Sequence, residues 1–472
     1  MVRGLAVVAF AVAGLSAFAQ QASSGPASAG PSADERTRAV AIYKTIVEMD
    51  TSVEGLKVPD MAVYLAGVFK DAGFPDDDIH IVPHDKTASL VVRYRGDGTG
   101  GKPILLMGHM DVVTAHREDW TRDPFKFIEE KGYFFGRGTA DNKTGVAALT
   151  ATFVTLKKDG FVPTRDLIIA FTGDEETVGL TATSLVQEHR ELIDAEFAVN
   201  SDSGGGEISE AGKPLTYALQ TAEKTFASFK LTAHNEGGHS SQPRKDNAIY
   251  DVMKAAQALQ RYSFPVMWNA TTLAAFKANA RVTTGADGDA MRRFARHPGD
   301  RRAAAVLSAS PFFVGQVRTT CVPTMMQGGH ADNALPQSAS ITVNCRIFPG
   351  VKIEAVQTQL HKLAGAKIEI APLEKNYTAS DASPLRLDVV NAVTAAVHAS
   401  YPGVPIVPSM SAGASDGVFY RAAGIPTYGA SELFIKYSDD FSHGLNERVP
   451  VDSFYAGLTH WRVLLTTLAG KH

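Results

Sequence analysis

Residues 166–179 read DLIIAFTGDEETVG, an apolar run that ends in the three acids Asp174, Glu175 and Glu176. The run has the length and composition of a buried strand. Two similar runs, PILLMG at 103–108 and EFAVN at 196–200, also end beside acids or imidazoles. Helical patterns separate the runs. This alternation predicts an α/β fold whose sheet is mostly parallel and flanked by helices.

The order of the predicted elements changes at residue 223. Strand-like segments at 226–233, around the two cysteines and at 367–373 alternate with helical patterns in the order βαββαβ. That order is typical of a ferredoxin-like arrangement, here with an additional, mainly helical stretch at 264–315. We therefore predict a catalytic domain in two parts, interrupted by an inserted lid or dimerisation domain. The boundaries are 34–222 and 374–472 for the catalytic domain and 223–373 for the insertion.

The N-terminus predicts export. Residues 1–19 have one Arg, an apolar stretch and a closing Ala-Phe-Ala, as a secretory signal peptide does. Residues 20–33 have the composition of a linker. The apolar stretch is too short for a membrane span and no later segment is long enough. The prediction is an exported, periplasmic protein.

The charged residues argue against one class of partner. The chain has 46 Lys and Arg against 50 Asp and Glu, and it has no basic run that could follow a phosphate backbone. Nucleic acid is therefore not an expected partner.

The two cysteines, Cys321 and Cys345, are too few for a disulfide framework or a thiolate metal site. Both lie twelve residues from Asn333, near the middle of the loop between two predicted strands. They could face each other across a hairpin and be bridged in an oxidising compartment. Two separately buried thiols remain the alternative, because strand register is not visible in sequence.

Potential metal ligands follow each of the three predicted strands. They are His109 and Asp111, Glu175 and Glu176, and Asp202; Asp141 precedes a helix and His443 lies in a late loop. Open α/β sheets bind ligands beyond the carboxyl ends of their strands. Imidazoles and carboxylates without thiolates suit zinc, or another divalent ion such as cobalt or manganese. Two ions that share one carboxylate would use these residues economically.

Seven segments together resemble a known family. They are GHMDVV, GRGTADNKTG, GDEETVG, NSDSGGG, GGHSSQP, VNCRIFPG and FSHGLNERVP. In this order they resemble the dinuclear-zinc metallopeptidases that include glutamate carboxypeptidase, carnosinase, aminoacylase and yeast-type carboxypeptidase S. The resemblance runs from about residue 34 to the end of the chain.

The resemblance implies how two zinc ions per subunit are held. Asp141 would bridge both ions, His109 and Asp202 would complete one site, and Glu176 and His443 the other. Asp111 would orient the ring of His109, a role that the HxD spacing also supports. A cis peptide bond between Asp141 and Asn142 is implied as well.

Glu175 is the predicted general base, because it adjoins a ligand without being one. Adjacent residues of an extended chain point in opposite directions, so Glu176 could face metal while Glu175 faces substrate. Glu175 would take a proton from a water activated by the metal and pass it to the leaving amine.

Other residues are predicted to contact the substrate. By the resemblance, His239 is a lid histidine that stabilises the oxyanion, and in dimeric members it comes from the other subunit. Arg346 matches the arginine that binds the substrate carboxylate, and its planar guanidinium suits that role. We expect Asn333 and Gly413 to line the same pocket.

These features predict a metallopeptidase that hydrolyses an amide bond of a small peptide, as a carboxypeptidase or dipeptidase. An aminoacylase-like hydrolase of N-acyl amino acids would use the same residues, and a non-catalytic periplasmic peptide-binding protein is a third hypothesis. A homodimer could form through the edge of the inserted domain. If residues 264–315 cover that edge, a monomer is expected instead.

Overall fold

A computed structural model of the chain describes residues 30–281, 283–374 and 377–471. The predicted signal peptide, residues 1–19, and most of the predicted linker lie outside the described residues. The first helix of the described residues begins at Ala33, and its N-cap Ser32 accepts the backbone N–H of Glu35 at 3.2 Å.

The described residues form fourteen α-helices and nineteen β-strands. The helices are α1 (Ala33–Val47), α2 (Val58–Asp71), α3 (Lys143–Lys158), α4 (Leu180–Gln187), α5 (Arg190–Ile193), α6 (Ala248–Arg261), α7 (Ala270–Asn279), α8 (Gly285–Arg296), α9 (Arg301–Ala309), α10 (Val314–Val317), α11 (Ile353–Ala364), α12 (Leu387–Ser400), α13 (Gly417–Ala422) and α14 (Val451–Ala469). The strands are β1 (Ile79–His84), β2 (Thr87–Tyr94), β3 (Ile104–His109), β4 (Ile128–Glu130), β5 (Tyr133–Phe135), β6 (Leu167–Thr172), β7 (Phe197–Asn200), β8 (Gly205–Ile208), β9 (Pro214–Glu223), β10 (Thr225–His234), β11 (Gly238–His239), β12 (Thr320–Gly328), β13 (Ala334–Leu335), β14 (Ser338–Ile347), β15 (Ile368–Pro372), β16 (Ile406–Ser411), β17 (Thr427–Gly429), β18 (Phe434–Lys436) and β19 (Arg448–Pro450).

The larger sheet has ten strands in the order β1-β2-β6-β3-β7-β17-β9-β8-β18, with β16 beside β9. Its central strands β6, β3, β7 and β17 run parallel. Antiparallel pairings join β1 and β2 on one side, and β8 and β9 on the other. This confirms the predicted α/β fold with a mostly parallel sheet.

Helices cover both faces of this sheet, and the sequence of its strands shows why. In β3, Ile104 and Leu106 pack into one core, with residues of α1, α2, α3, α12 and α14. Leu105 and Met107 pack into a second core, with residues of α4, α5 and α13. Successive side chains of a strand point to opposite faces, so a strand buried on both faces is a continuous apolar run.

A second sheet has four antiparallel strands in the order β12-β14-β10-β15. Together with α6 and α11 these strands follow the predicted βαββαβ order, and the strand arrangement is that of a ferredoxin-like fold. The sheet has its own apolar core, formed against α6 and α11. The exact limits of an inserted domain, and its role as a lid, stay predictions.

The additional helical stretch contains α7 to α10 and has its own small core around Phe276 and Phe294. It packs α7 against β16 of the larger sheet. The hydroxyls of Thr221 and Thr271 lie 2.6 Å apart, and Gln316 donates to the carbonyl of Met410 at 3.0 Å. Phe264, at the start of this stretch, packs in the core of the second sheet, so the stretch links the two sheets, while most of strand β12 stays exposed.

The two cysteines form a disulfide bond between β12 and β14, where Cys321 and Cys345 are directly opposite each other. The hairpin alternative left open by the sequence is therefore the one observed. No helix within the described residues is long and apolar enough to span a membrane.

Candidate metal centre and substrate cleft

The three acids that follow β6 have three different environments. Asp174 is buried and accepts the backbone N–H groups of Leu180 at 2.7 Å and Thr181 at 2.9 Å, so it caps the start of α4. Glu176 points towards His443, and Glu175 lines a cleft on the other side of the turn. Of the three neighbouring acids, Asp174 therefore has a structural role, Glu176 faces His443 of the candidate metal centre, and Glu175 faces the cleft.

Asp111 fixes this acidic turn in place. Its carboxylate accepts the backbone N–H of Glu175 at 3.2 Å and that of Glu176 at 3.0 Å. The ring of His109 is held mainly by the backbone carbonyl of Asp111, 3.0 Å from Nδ1, while the carboxylate lies 3.5 Å away. Asp111 thus orients both His109 and the backbone of the two glutamates.

The first half of the candidate metal centre forms where β3 and β7 end. Nε2 of buried His109 lies 2.9 Å from Oδ1 of Asp141 and 3.4 Å from Oδ1 of Asp202. All three side chains are thus close enough to bind one ion.

The second half forms between the acidic turn and the loop before β19. Nε2 of His443 lies 2.9 Å from the carboxylate of Glu176 and 3.2 Å from Oδ2 of Asp141. Asp141 therefore presents one oxygen to each histidine, and its peptide bond to Asn142 is cis, as the resemblance implies. The sequence separates His443 from Glu176 by 267 residues.

Glu447 was missed by the sequence analysis, although it lies in the FSHGLNERVP segment. It is fully buried and accepts four hydrogen bonds: from Gly138 N at 3.0 Å, Ala140 N at 2.7 Å, Asp141 N at 3.0 Å and Arg137 Nη1 at 2.7 Å. Arg137 in turn donates to the carbonyl of His443 at 3.3 Å. Glu447 therefore joins the loop of the bridging Asp141 to the loop of His443.

The pKa shifts of the side chains in this centre indicate that positive charge is favourable there. Burial raises the pKa of Asp202 to about 7. Burial alone would lower the pKa of His109, yet Asp202 and the other nearby carboxylates raise it well above its ordinary value. The hydrogen bonds to Asp141 and Glu176 raise the pKa of His443 to about 10.

A buried group of acids around two imidazoles thus stabilises cations. The donor set, two imidazoles and three carboxylates with one carboxylate shared, fits two divalent ions. His109, Asp141 and Glu176 have ligand atoms within 4.8 Å of one another. The pKa of Glu175 is also raised well above its ordinary value, mainly by burial.

A cleft of about 400 Å³ opens beside Glu175. Its walls come from the turn after β6, from the loop before α13, and from the start of the second sheet, where Phe226 of β10 and the preceding Lys224 line it. Arg346 lies opposite Phe226 in β14, with its guanidinium carbon 4.8 Å from the centre of the Phe226 ring. Arg346 Nη1 donates to the carbonyl of Ala412 at 3.0 Å, next to the predicted Gly413. Arg346 and Gly413 therefore adjoin residues that line the cleft, Phe226 and Ala414, without lining it themselves, and their roles in substrate binding stay predictions.

Two of the residues that were predicted to contact substrate, His239 and Asn333, lie together elsewhere in the predicted insertion. His239 is on the exposed strand β11, which pairs with β13. The N–H of Ser240 donates to the carbonyl of Asn333 at 3.0 Å. Neither His239 nor Asn333 is among the residues that line the cleft beside Glu175. Their roles in substrate binding stay predictions.

The fold and the donor set define a metal-dependent hydrolase of the α/β class. A profile of Peptidase family M20/M25/M40 matches residues 105–467, and the chain belongs to this family. It is therefore a metallopeptidase-family enzyme, as the sequence segments indicated.

Named relatives and solved structures agree with this membership. N-fatty-acyl-amino acid synthase/hydrolase PM20D1 of Mus musculus is 27% identical over 398 residues, covering 79% of this chain and 76% of that protein. Probable carboxypeptidase S-like 2 of Dictyostelium discoideum is 26% identical over 377 residues, covering 78% and 72%. The metallo-carboxypeptidase Sso-CP2 of Sulfolobus solfataricus shares the fold, with a TM-score of 0.70, 17% identity and coverage of 91% of this chain and 99% of that one.

Proposed function

We propose that the protein is an exported di-zinc exopeptidase that releases an amino acid with a free carboxylate from a small peptide. The observation that carries the proposal is the position of Glu175, on the wall of the substrate cleft and next to Glu176 of the metal centre. A base at that position reaches both the water and the substrate.

The residues present suggest separate catalytic roles for the metal ligands, for Glu175 and for Arg346. Two divalent ions bound by His109, Asp141, Glu176, Asp202 and His443 would polarise the scissile carbonyl and activate a water molecule at neutral pH. Glu175 accepts the proton of the attacking water and delivers it to the leaving amine. Arg346 holds the carboxylate of the released residue through its planar guanidinium.

Hydrolysis of N-acyl amino acids is the second candidate, and the comparisons give it specific support. Relatives named N-fatty-acyl-amino acid synthase/hydrolase are found in several vertebrates, at 24–27% identity. An N-acyl amino acid and a dipeptide present the same amide and the same carboxylate to the cleft. The two candidates therefore differ only in what lies on the acyl side of the bond.

The test is a substrate panel with metal analysis. Freshly purified enzyme is analysed for bound metals and assayed on dipeptides and on N-acyl amino acids, before and after chelation and zinc reconstitution. We expect about two zinc ions per chain and hydrolysis that is lost on chelation and restored by zinc. A folded protein that binds no divalent ion, or that hydrolyses neither substrate class, would overturn the proposal and favour a binding protein.

Export and a homodimer belong to the same proposal. The disulfide between β12 and β14 supports an oxidising compartment, since such bonds are rare in the cytosol. Strand β12 exposes Val322, Met325 and Met326, and α7 packs on β16 rather than on this edge. An exposed apolar edge strand favours pairing with a second copy. Sedimentation of the wild type beside a Met326→Asp variant tests this, and a monomeric wild type would refute it.

A further inference from the structure

Lys224 is a buried lysine that has no role in the proposed catalysis. Its side chain is 1% exposed, yet the residue lines the cleft that also contains Glu175. Nζ donates to two neutral oxygens, the carbonyl of Arg318 at 2.9 Å and the hydroxyl of Thr320 at 3.4 Å. Its ion-pair partner is therefore missing among the described residues.

Arg346 is a second cation in the same region without a carboxylate. The residue contacts a backbone carbonyl and the ring of Phe226, and no acidic side chain of the described residues pairs with it. Lys224 lies just before β10, and its Nζ is 3.4 Å from the hydroxyl of Thr320, which is opposite Arg346 in the sheet. Phe226 of β10 is also opposite Arg346, so Phe226 and Arg346 share one side of the sheet. That side faces the cleft, while the opposite side packs on α6 and α11.

A buried cation near a second, partly buried cation is unfavourable unless an anion compensates them. Burial, together with the smaller effect of the nearby charge of Arg346, lowers the pKa of Lys224 to about 7. Burial lowers the pKa of Arg346 too. A carboxylate that entered the cleft would compensate both charges where water cannot.

We propose that Lys224 and Arg346 together bind the carboxylate of the released residue, so that Lys224 is a specificity-determining residue. This inference rests on the proposed function, since it assumes a substrate whose released part has a free carboxylate. The cleft then holds that part, with the scissile bond at Glu175 and the carboxylate at the two cations. Substrates in which this carboxylate is an amide lose both charge-assisted contacts.

The experiment compares a substrate acid with its carboxamide in wild type and in Lys224→Met. We expect the variant to raise KM for the acid by about 10- to 100-fold with a smaller change in kcat, from the loss of one charge-assisted hydrogen bond. The carboxamide should be cleaved equally by both proteins. Lys230→Met is the matched control, because Lys230 lies on the same side of β10, is exposed, and lines no part of this cleft.

A purely structural role for Lys224 gives a different pattern. Removal of a buried, uncompensated cation should leave Tm unchanged or raise it, whereas loss of a stabilising contact to Arg318 and Thr320 would lower Tm. A lower Tm with an unchanged KM for the acid would overturn the proposal, and so would an equal loss for the acid and the carboxamide.

A binding measurement separates this proposal from the proposed function. An N-acetyl amino acid and its carboxamide are titrated into Glu175→Gln and into Glu175→Gln combined with Lys224→Met, so that turnover is not needed. Weaker binding of the acid alone in the double variant supports the carboxylate site even if no substrate of the panel is hydrolysed. Equal binding of the acid by both variants refutes it even if the enzyme is an active peptidase.

Discussion

Replacement of Glu447 by Gln should destabilise the protein by about 3–5 kcal/mol and weaken metal binding, although Glu447 is not a predicted ligand. Gln has the same shape, but one of its two terminal atoms is a donor. Two of the four donors around Glu447 would then face another donor. Arg137, which is 3% exposed, would lose its counter-ion.

The size of the expected destabilisation follows from the groups that Glu447→Gln leaves without an acceptor or a counter-ion. Burial raises the pKa of Glu447, so the buried charge is itself costly, and the loss comes from the groups left without an acceptor. Removal of one member of a buried ion pair typically costs about 3–5 kcal/mol, out of a total stability of about 5–15 kcal/mol. Arg137 and the N–H of Gly138 share one oxygen of Glu447, and the N–H groups of Ala140 and Asp141 share the other, so one of these two pairs loses its acceptor. Either pair adjoins the loop of the bridging carboxylate, so metal affinity should fall about 10- to 100-fold.

Urea denaturation and metal titration measure the two effects. The denaturation midpoint should fall with little change in the slope of free energy against urea. Asp194→Asn is the control, because it breaks an exposed ion pair with Arg190 and should change stability by less than about 0.5 kcal/mol.

A double variant shows how much of the lost stability comes from the guanidinium of Arg137. Arg137→Met combined with Glu447→Gln removes the stranded guanidinium but leaves the three backbone N–H groups, so it should be less destabilised than Glu447→Gln alone. The reasoning fails if Glu447→Gln loses less than about 1 kcal/mol and still holds metal with wild-type affinity.

Three further changes have predictable outcomes. Glu175→Gln should keep both metal ions and lower kcat by about 10²- to 10⁴-fold, and near-normal turnover would rule out its role as base. Burial lowers the pKa of His460 to about 4, below its value of about 6.5 in the unfolded chain, so this residue costs stability as pH falls from about 6.5 to 4, up to about 3 kcal/mol. His460→Phe should therefore lose less stability than wild type over that range in denaturation at several pH values; identical profiles would contradict this. Replacement of Cys321 and Cys345 by Ala opens a covalent loop with a sequence separation of 24, which should cost about 3 kcal/mol in urea denaturation, and an unchanged midpoint would count against a stabilising bridge.

The fold was predictable where periodicity extends over many residues. Helical patterns were predicted between the apolar runs, and α3 and α4 lie there; the run at 166–173 contains β6, and the run at 103–108 covers β3 except for its last residue, His109. The three-residue strands β4, β5 and β19 were not predicted, because so short a segment shows no period. The pairing of β19 with β5 depends on contacts between residues about 300 positions apart.

The candidate site was predictable as a set of residues but not as an arrangement. Ligand types at strand ends pointed to His109 and Asp202, because parallel strands bring their carboxyl ends to one edge of the sheet. No feature of the sequence pointed to Glu447 or Lys224 in this way. Their partners are mainly backbone groups, and no spacing in a sequence encodes which N–H or carbonyl a buried side chain will meet.

The helical stretch that packs α7 against β16 has a thermodynamic consequence. Separation of the two sheets would break the hydroxyl contact between Thr221 and Thr271 and hydrate the apolar cluster of Ala222, Phe348 and Met410. Unfolding of either sheet therefore removes contacts that stabilise the other. Scanning calorimetry should show one heat-absorption peak for the whole chain rather than a separate peak for each half, and fluctuations that widen the cleft should remain small compared with hinge motion between freely linked lobes.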